Sequence, residues 1–117
     1  MAYQVQDNQI RFDDGKSVAL PYPIGDILKV GRVLVAVLKL PAGQSMTENV
    51  FGISEDEALL WQIERIPATS IDAQSNQYAG IIAHNEGNGT VRVSNWNGVV
   101  VDVDVSSGKV RHWYWGK

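Results

Sequence analysis

The sequence contains no cysteine. That single absence excludes disulfides, thiolate nucleophiles and cysteine-ligated zinc together. Histidine is nearly as scarce, with His84 and His112 the only two, too few for a histidine-rich metal site. Basic excess is missing as well. There are 10 Lys and Arg against 13 Asp and Glu, a formal charge of -3. With no surplus of cations to neutralise phosphates, a nucleic-acid partner is not expected. Long apolar runs are also absent. The most apolar stretch, Val33-Leu34-Val35-Ala36-Val37-Leu38, lies between Arg32 and Lys39. So short a run cannot span roughly 30 Å of hydrocarbon, so no membrane partner is expected. The opening residues Met1 to Asp7 are polar and lack the basic-then-apolar order of a secretory signal. The expectation is a soluble, cytoplasmic protein.

What is present is an ordinary globular mixture. The chain has 117 residues, 44% of them hydrophobic and 20% charged, which fits one domain over residues 1–117 with a real core. Turn signals recur at short intervals: Asp7-Asn8, Asp13-Asp14-Gly15, Gly31, Pro41-Ala42-Gly43, Asn85 to Gly89, Asn97-Gly98 and Ser106-Ser107-Gly108. Between them lie short runs rich in Val, Ile, Leu and aromatic residues. That rhythm predicts an all-β domain of antiparallel hairpins. Asn97-Gly98 predicts a two-residue hairpin between Trp96 and Val99. Ser106 to Lys109 predicts a second, with Gly108 in the left-handed conformation.

Alternation predicts the faces. Val99, Val101, Val103 and Val105 share one side of a strand, and Val100, Asp102 and Asp104 share the other. Arg111, Trp113 and Trp115 fall opposite Val110, His112 and Tyr114. Val33 to Leu38 is apolar on both faces and belongs between two covering layers. Residues Ala68 to Gln77 are small and polar and predict the longest loop. One segment carries a competing signal. Ser54-Glu55-Asp56-Glu57 forms a capping box ahead of Ala58 to Ile66, with Pro67 as a stop. Local rules there favour a helix near 55–66, and hence an α+β alternative.

Two stretches echo each other, Val50 to Trp61 and Val101 to Trp113; each runs strand, polar turn, strand, Trp. This unit resembles the hairpin of quinoprotein-type (PQQ-like) β-propeller blades. More closely, Asn49-Val50-Phe51, Leu60-Trp61-Gln62-Ile63, Tyr78-Ala79-Gly80-Ile81, Asn95-Trp96-Asn97-Gly98 and Ser107-Gly108-Lys109 resemble, in order, the motifs of a group of small uncharacterised bacterial all-β proteins. The departures are Ser54 in place of an Asp and Glu57 in place of the turn Gly. The resemblance implies a hairpin, not a helix, over 55–66, and implies no activity. Blades need roughly 40–50 residues and propellers about four or more blades. A small sandwich or curled sheet is therefore expected, not a closed propeller, with edges that a homodimer would bury.

No catalytic motif emerges. Gly87-Asn88-Gly89 lacks the third glycine of a dinucleotide fingerprint. His84 and His112 with Asp102 or Asp104 would make a metal site only if the strands brought them together. Ser94 near His84 has no nucleophile elbow, and the acidic pairs sit at turns or on a wet face. No catalytic residue, metal or cofactor is expected. The strongest binding candidates are Trp96, Arg111, His112, Trp113, Tyr114 and Trp115, because Trp, Tyr and Arg dominate interface energetics. The first functional expectation is a non-catalytic protein-interaction module, such as an immunity or adaptor protein, with an unidentified protein partner. The alternative is a small-ligand binder with an aromatic-lined pocket. A hydrolase using either histidine ranks last.

Overall fold

A computed structural model describes residues 2–44, 46–54, 56, 58–66 and 77–116. Among these residues there is no helix, and the strands form three antiparallel sheets. The first sheet contains β1 (Tyr3–Gln6), β2 (Gln9–Phe12) and β3 (Ser17–Ala19). The second contains β4 (Ile24–Val30), β5 (Val33–Leu38), β6 (Val50–Ser54) and β7 (Leu59–Gln62). The third contains β8 (Tyr78–Asn85), β9 (Thr90–Asn95), β10 (Val99–Asp104) and β11 (Val110–Trp115). Each sheet is a meander whose neighbours in space are neighbours in sequence. None closes into a barrel or propeller.

The doubly apolar β5 fixes the layering. All six of its residues are buried. Val33, Val35 and Val37 enter one core with Val91, Val93, Val99, Val101 and Val103 of the third sheet. Leu34, Ala36 and Leu38 enter a second core with Ile10 and Phe12 of the first sheet. The second sheet is thus a middle layer covered on both faces. β6 obeys the same rule, with Val50 on one side and Phe51 and Ile53 on the other. Alternation at period 2 assigns each residue to its core, and burial of these side chains drives the stacking.

The motifs quoted above meet one another in space. The Asn49 side chain is fully buried. Its Oδ1 accepts from the Tyr78 backbone N–H at 2.7 Å, and its Nδ2 donates to the Tyr78 and Leu38 carbonyls, each at 2.9 Å. One amide therefore ties the second sheet to the third. Trp61 is buried, and its Nε1 donates to the Val105 carbonyl at 2.7 Å. Its ring lies against Gly52 on one side and Gly108 on the other, where any Cβ would collide. Asn95 Oδ1 accepts from the N–H groups of Asn97 and Val99 at 3.0 and 2.9 Å. Asp26 clips the adjacent edges of β4 and β8, its Oδ2 accepting from the Ile81 N–H at 2.9 Å.

Three local expectations change. Residues 59–62 form a strand and Ala58 closes the hairpin on Ser54 at 2.8 Å, so the helix over 55–66 does not form. Pairing of Trp61 between two glycines outweighs the capping box. The β9–β10 connection holds Trp96, Asn97 and Gly98, one residue more than expected. Only Gly98 has positive φ, at 86°, where a two-residue type I′ turn needs two such residues. β11 carries a bulge, since Asp102 pairs with His112 but Val103 pairs with Val110. Val110 therefore turns inward beside Trp113, and strict alternation fails at Arg111. The long loop expected over 68–77 lies, apart from Gln77, outside the described residues.

Candidate binding surface

The third sheet has one buried face and one open face. On the open face Arg92 pairs with Asp102, Nε to Oδ1 at 2.8 Å. The Arg92 guanidinium also lies 5.9 Å from the centre of the Tyr114 ring. The His112 and Tyr114 rings are 5.5 Å apart. Arg111, displaced by the bulge, donates from Nη2 to Asp104 Oδ2 at 2.8 Å and from Nη1 to the Asn88 carbonyl at 3.1 Å. Hydrogen bonds from the Ser106 hydroxyl, from Arg111 and from the Ser106 backbone hold the Asp104 carboxyl down at about 2. The Arg92 guanidinium is pushed up by its hydrogen bond to Asp102. These charges satisfy one another, so the face is polar and finished.

The six candidate residues therefore divide. Arg111, His112 and Tyr114 belong to the open face. Trp113 packs against the core between the second and third sheets. Trp115 and Trp96 are largely exposed, at 55% and 68%, at the same end of the third sheet. The three-residue loop puts Trp96 there, because it stands inside the turn and not on β9. Its backbone N–H donates to the Gln77 carbonyl at 3.4 Å, and the residue borders a cavity of about 300 Å³. Gly25, Lys39, Gln77 and Ala79 also line this cavity. None of those four was legible as a site in the sequence, because they come from three segments that meet only in the fold. Nearby, burial and the charge of Glu48 push the Tyr78 phenol up to about 12.

The two histidines weighed for a metal site stay apart, although Asp102 is the cross-strand neighbour of His112 and lines one pocket with His84. His84 and His112 lie on β8 and β11, with β9 and β10 between them. At roughly 4.8 Å per strand spacing they stand on the order of 14 Å apart, too far to share a metal ion. Ser94 pairs with Gly80, whereas His84 pairs with Val91. That three-residue offset along the ladder is roughly 10 Å. Among the described residues no three His, Asp or Glu side chains gather as metal ligands do. No helix among them is long and apolar enough to cross a membrane.

Curated proteins give no match to the chain. Residues 1–114 match a family model described as Domain of unknown function (DUF7957). With nearly all of its length covered, the chain belongs to that family.

Proposed function

We propose that the protein is a non-catalytic protein-interaction module, of immunity or adaptor type, that pairs through the β11 edge. The observation that carries this reading is the state of that edge. β11 ends the third sheet, with β10 on one side only. The Gly116 N–H donates to the Gly98 carbonyl at 2.6 Å. Alternation from that bond turns residues 112 and 114 toward β10 and leaves the N–H and C=O groups of 111, 113 and 115 facing outward. Among the described residues the edge is capped at its start, where the Val110 N–H donates to Glu64 Oε1 at 3.0 Å. Within the strand itself, Val110–Trp115, there is no Pro and no Lys to block an added strand.

The partner favoured by this edge is a second copy. An antiparallel pair centred on Trp113 sets Trp113 against Trp113 of the other copy, and His112 against Tyr114. Within Arg111 to Trp115 it brings no like charges into direct opposition. Sedimentation equilibrium of the wild type and Trp115→Pro tests the proposal. Residue 115 is exposed and its N–H faces outward, so Pro leaves the fold intact but removes an edge donor. The expected result is a concentration-dependent dimer for wild type and a folded monomer for Trp115→Pro. A monomeric wild type, or a Trp115→Pro dimer, overturns it.

A further inference from the structure

The turns after β8 and β9 carry the same dipeptide, Asn88-Gly89 and Asn97-Gly98. An Asn-Gly pair is open to an internal reaction, because glycine has no Cβ to shield its backbone nitrogen from the asparagine side chain. That nitrogen gives its proton to solvent and attacks Cγ of the asparagine. The side-chain nitrogen leaves as ammonia and a succinimide ring closes. Both turns hold the glycine nitrogen back in the same way. The Gly89 N–H donates to the Glu86 carbonyl and the Gly98 N–H to the Asn95 carbonyl, each at 3.2 Å. Reaction therefore needs the turn to open, and the turns differ in what opening breaks. At Asn97 the anchor is the buried Asn95, whose Oδ1 also holds the N–H of fully buried Val99. At Asn88 the anchor is Asn85 Oδ1, which accepts from the Asn88 N–H at 3.1 Å, and both residues are exposed.

A second contact bears on the product. Arg111 Nη1 donates to the Asn88 carbonyl at 3.1 Å, while Nε and Nη2 of the same guanidinium donate to Asp104 Oδ2 at 3.2 and 2.8 Å. Asp104 thus holds a cation on the main-chain carbonyl of residue 88. Water opens a succinimide at either of its two carbonyls. Attack at Cγ breaks the Cγ bond to the Gly89 nitrogen and leaves aspartate. Attack at the main-chain carbon breaks the original peptide bond to Gly89 and leaves isoaspartate. Its chain then runs through Cγ, and the former main-chain carbonyl becomes a free carboxylate. We propose that Asn88 is a deamidation site in the folded protein and that Arg111 directs its succinimide toward isoaspartate. The guanidinium polarises the carbonyl that water attacks and stabilises the charge that develops on its oxygen. It then pairs with the new carboxylate, a charged acceptor where a neutral one stood. The modification adds one negative charge beside the Arg111–Asp104 pair. It does not rest on the strand-pairing reading, because the reacting atoms all lie in the β8–β9 turn.

The test ages the full chain in mildly alkaline buffer, folded and in urea. Peptide mapping by mass spectrometry follows each asparagine, and electron-based fragmentation tells isoaspartate from aspartate. Each site is compared with its own rate in urea. Folding is expected to slow Asn97 roughly tenfold more than Asn88. The ratio of isoaspartate to aspartate at residue 88 is expected to be severalfold higher in the folded chain than in urea. Arg111 is half exposed, so Arg111→Gln spares the core, and it returns the ratio toward the urea value. Asp104→Asn, which releases the guanidinium from its anchor, lowers the ratio as well. Equal slowing of the two asparagines overturns the site. A folded ratio equal to that in urea, or one that both variants leave unchanged, overturns the role of Arg111.

Discussion

Trp61 and Trp96 carry the same indole and are used in opposite ways. Trp61 is clamped between Gly52 and Gly108 and donates to Val105, so its chemistry is spent on the fold. Trp96 stands on a turn with its ring exposed. The sequence set both in similar motifs, and nothing in their spacing separated them. The difference arises from one extra residue in the β9–β10 loop. Asp104 shows a second residue-scale effect. Its carboxyl titrates near 3.8 when unperturbed and at about 2 in the fold. A depressed pKa means that its pairing with Ser106 and Arg111 stabilises the protein above about pH 4. That contribution is lost as the pH falls from about 4 to about 2. Asp104→Asn is therefore expected to flatten the stability profile over that interval. Urea unfolding followed across the pH range measures it, and an unchanged profile would contradict the assignment. Because Asp104 is partly exposed, added salt is expected to shrink the share contributed by Arg111.

At the scale of elements, turns were more legible than strand faces. Gly15, Gly31, Gly89, Gly98 and Gly108 all have positive φ, as their turn contexts implied. The double burial of β5 was legible too, because an apolar residue at every position leaves no wet face. Two features were not legible in local rules, although the resemblance implied the second. The bulge at Arg111 follows from how the β10–β11 turn closes, with the Gly108 N–H donating to the Asp104 carbonyl at 2.8 Å. The strand at 59–62 wins over a capping box only because Gly52 opens a slot for Trp61 across the pair. The first is set within the turn itself, and the second is a contact across the β6–β7 pair. A matched pair of glycine substitutions separates backbone strain from this slot. Gly15 has φ +91° and nothing near a new Cβ, whereas Gly108 has φ +76° and Trp61 Cε3 at 2.7 Å from one. Gly15→Ala is expected to cost about 1 kcal/mol, the price of positive φ alone. Gly108→Ala is expected to cost about 3 kcal/mol or more, because the ring must also move. Equal losses in denaturant titrations would mean that the slot is loose.

Across the whole molecule, the two cores share the middle sheet. Leu34 and Val35 are adjacent in β5 yet belong to different cores. A loosening of the first sheet is therefore expected to reach the third through β5. This arrangement turns the expectation of one domain into a measurable one. All four Trp residues lie in β7, the β9–β10 loop and β11, and none lies in the first sheet. Trp fluorescence thus reports only the second and third sheets, while far-UV circular dichroism reports all three. Ile10, fully buried in the first sheet, gives the probe mutation. Ile10→Ala removes most of a buried side chain and is expected to cost about 2–5 kcal/mol. If the layers unfold together, the fluorescence midpoint falls by as much as the circular-dichroism midpoint, although no Trp touches the mutated core. If the first sheet comes away separately, fluorescence holds its wild-type midpoint while circular dichroism splits into two steps. The fully buried β5, with a different core on each of its faces, favours the coincident outcome.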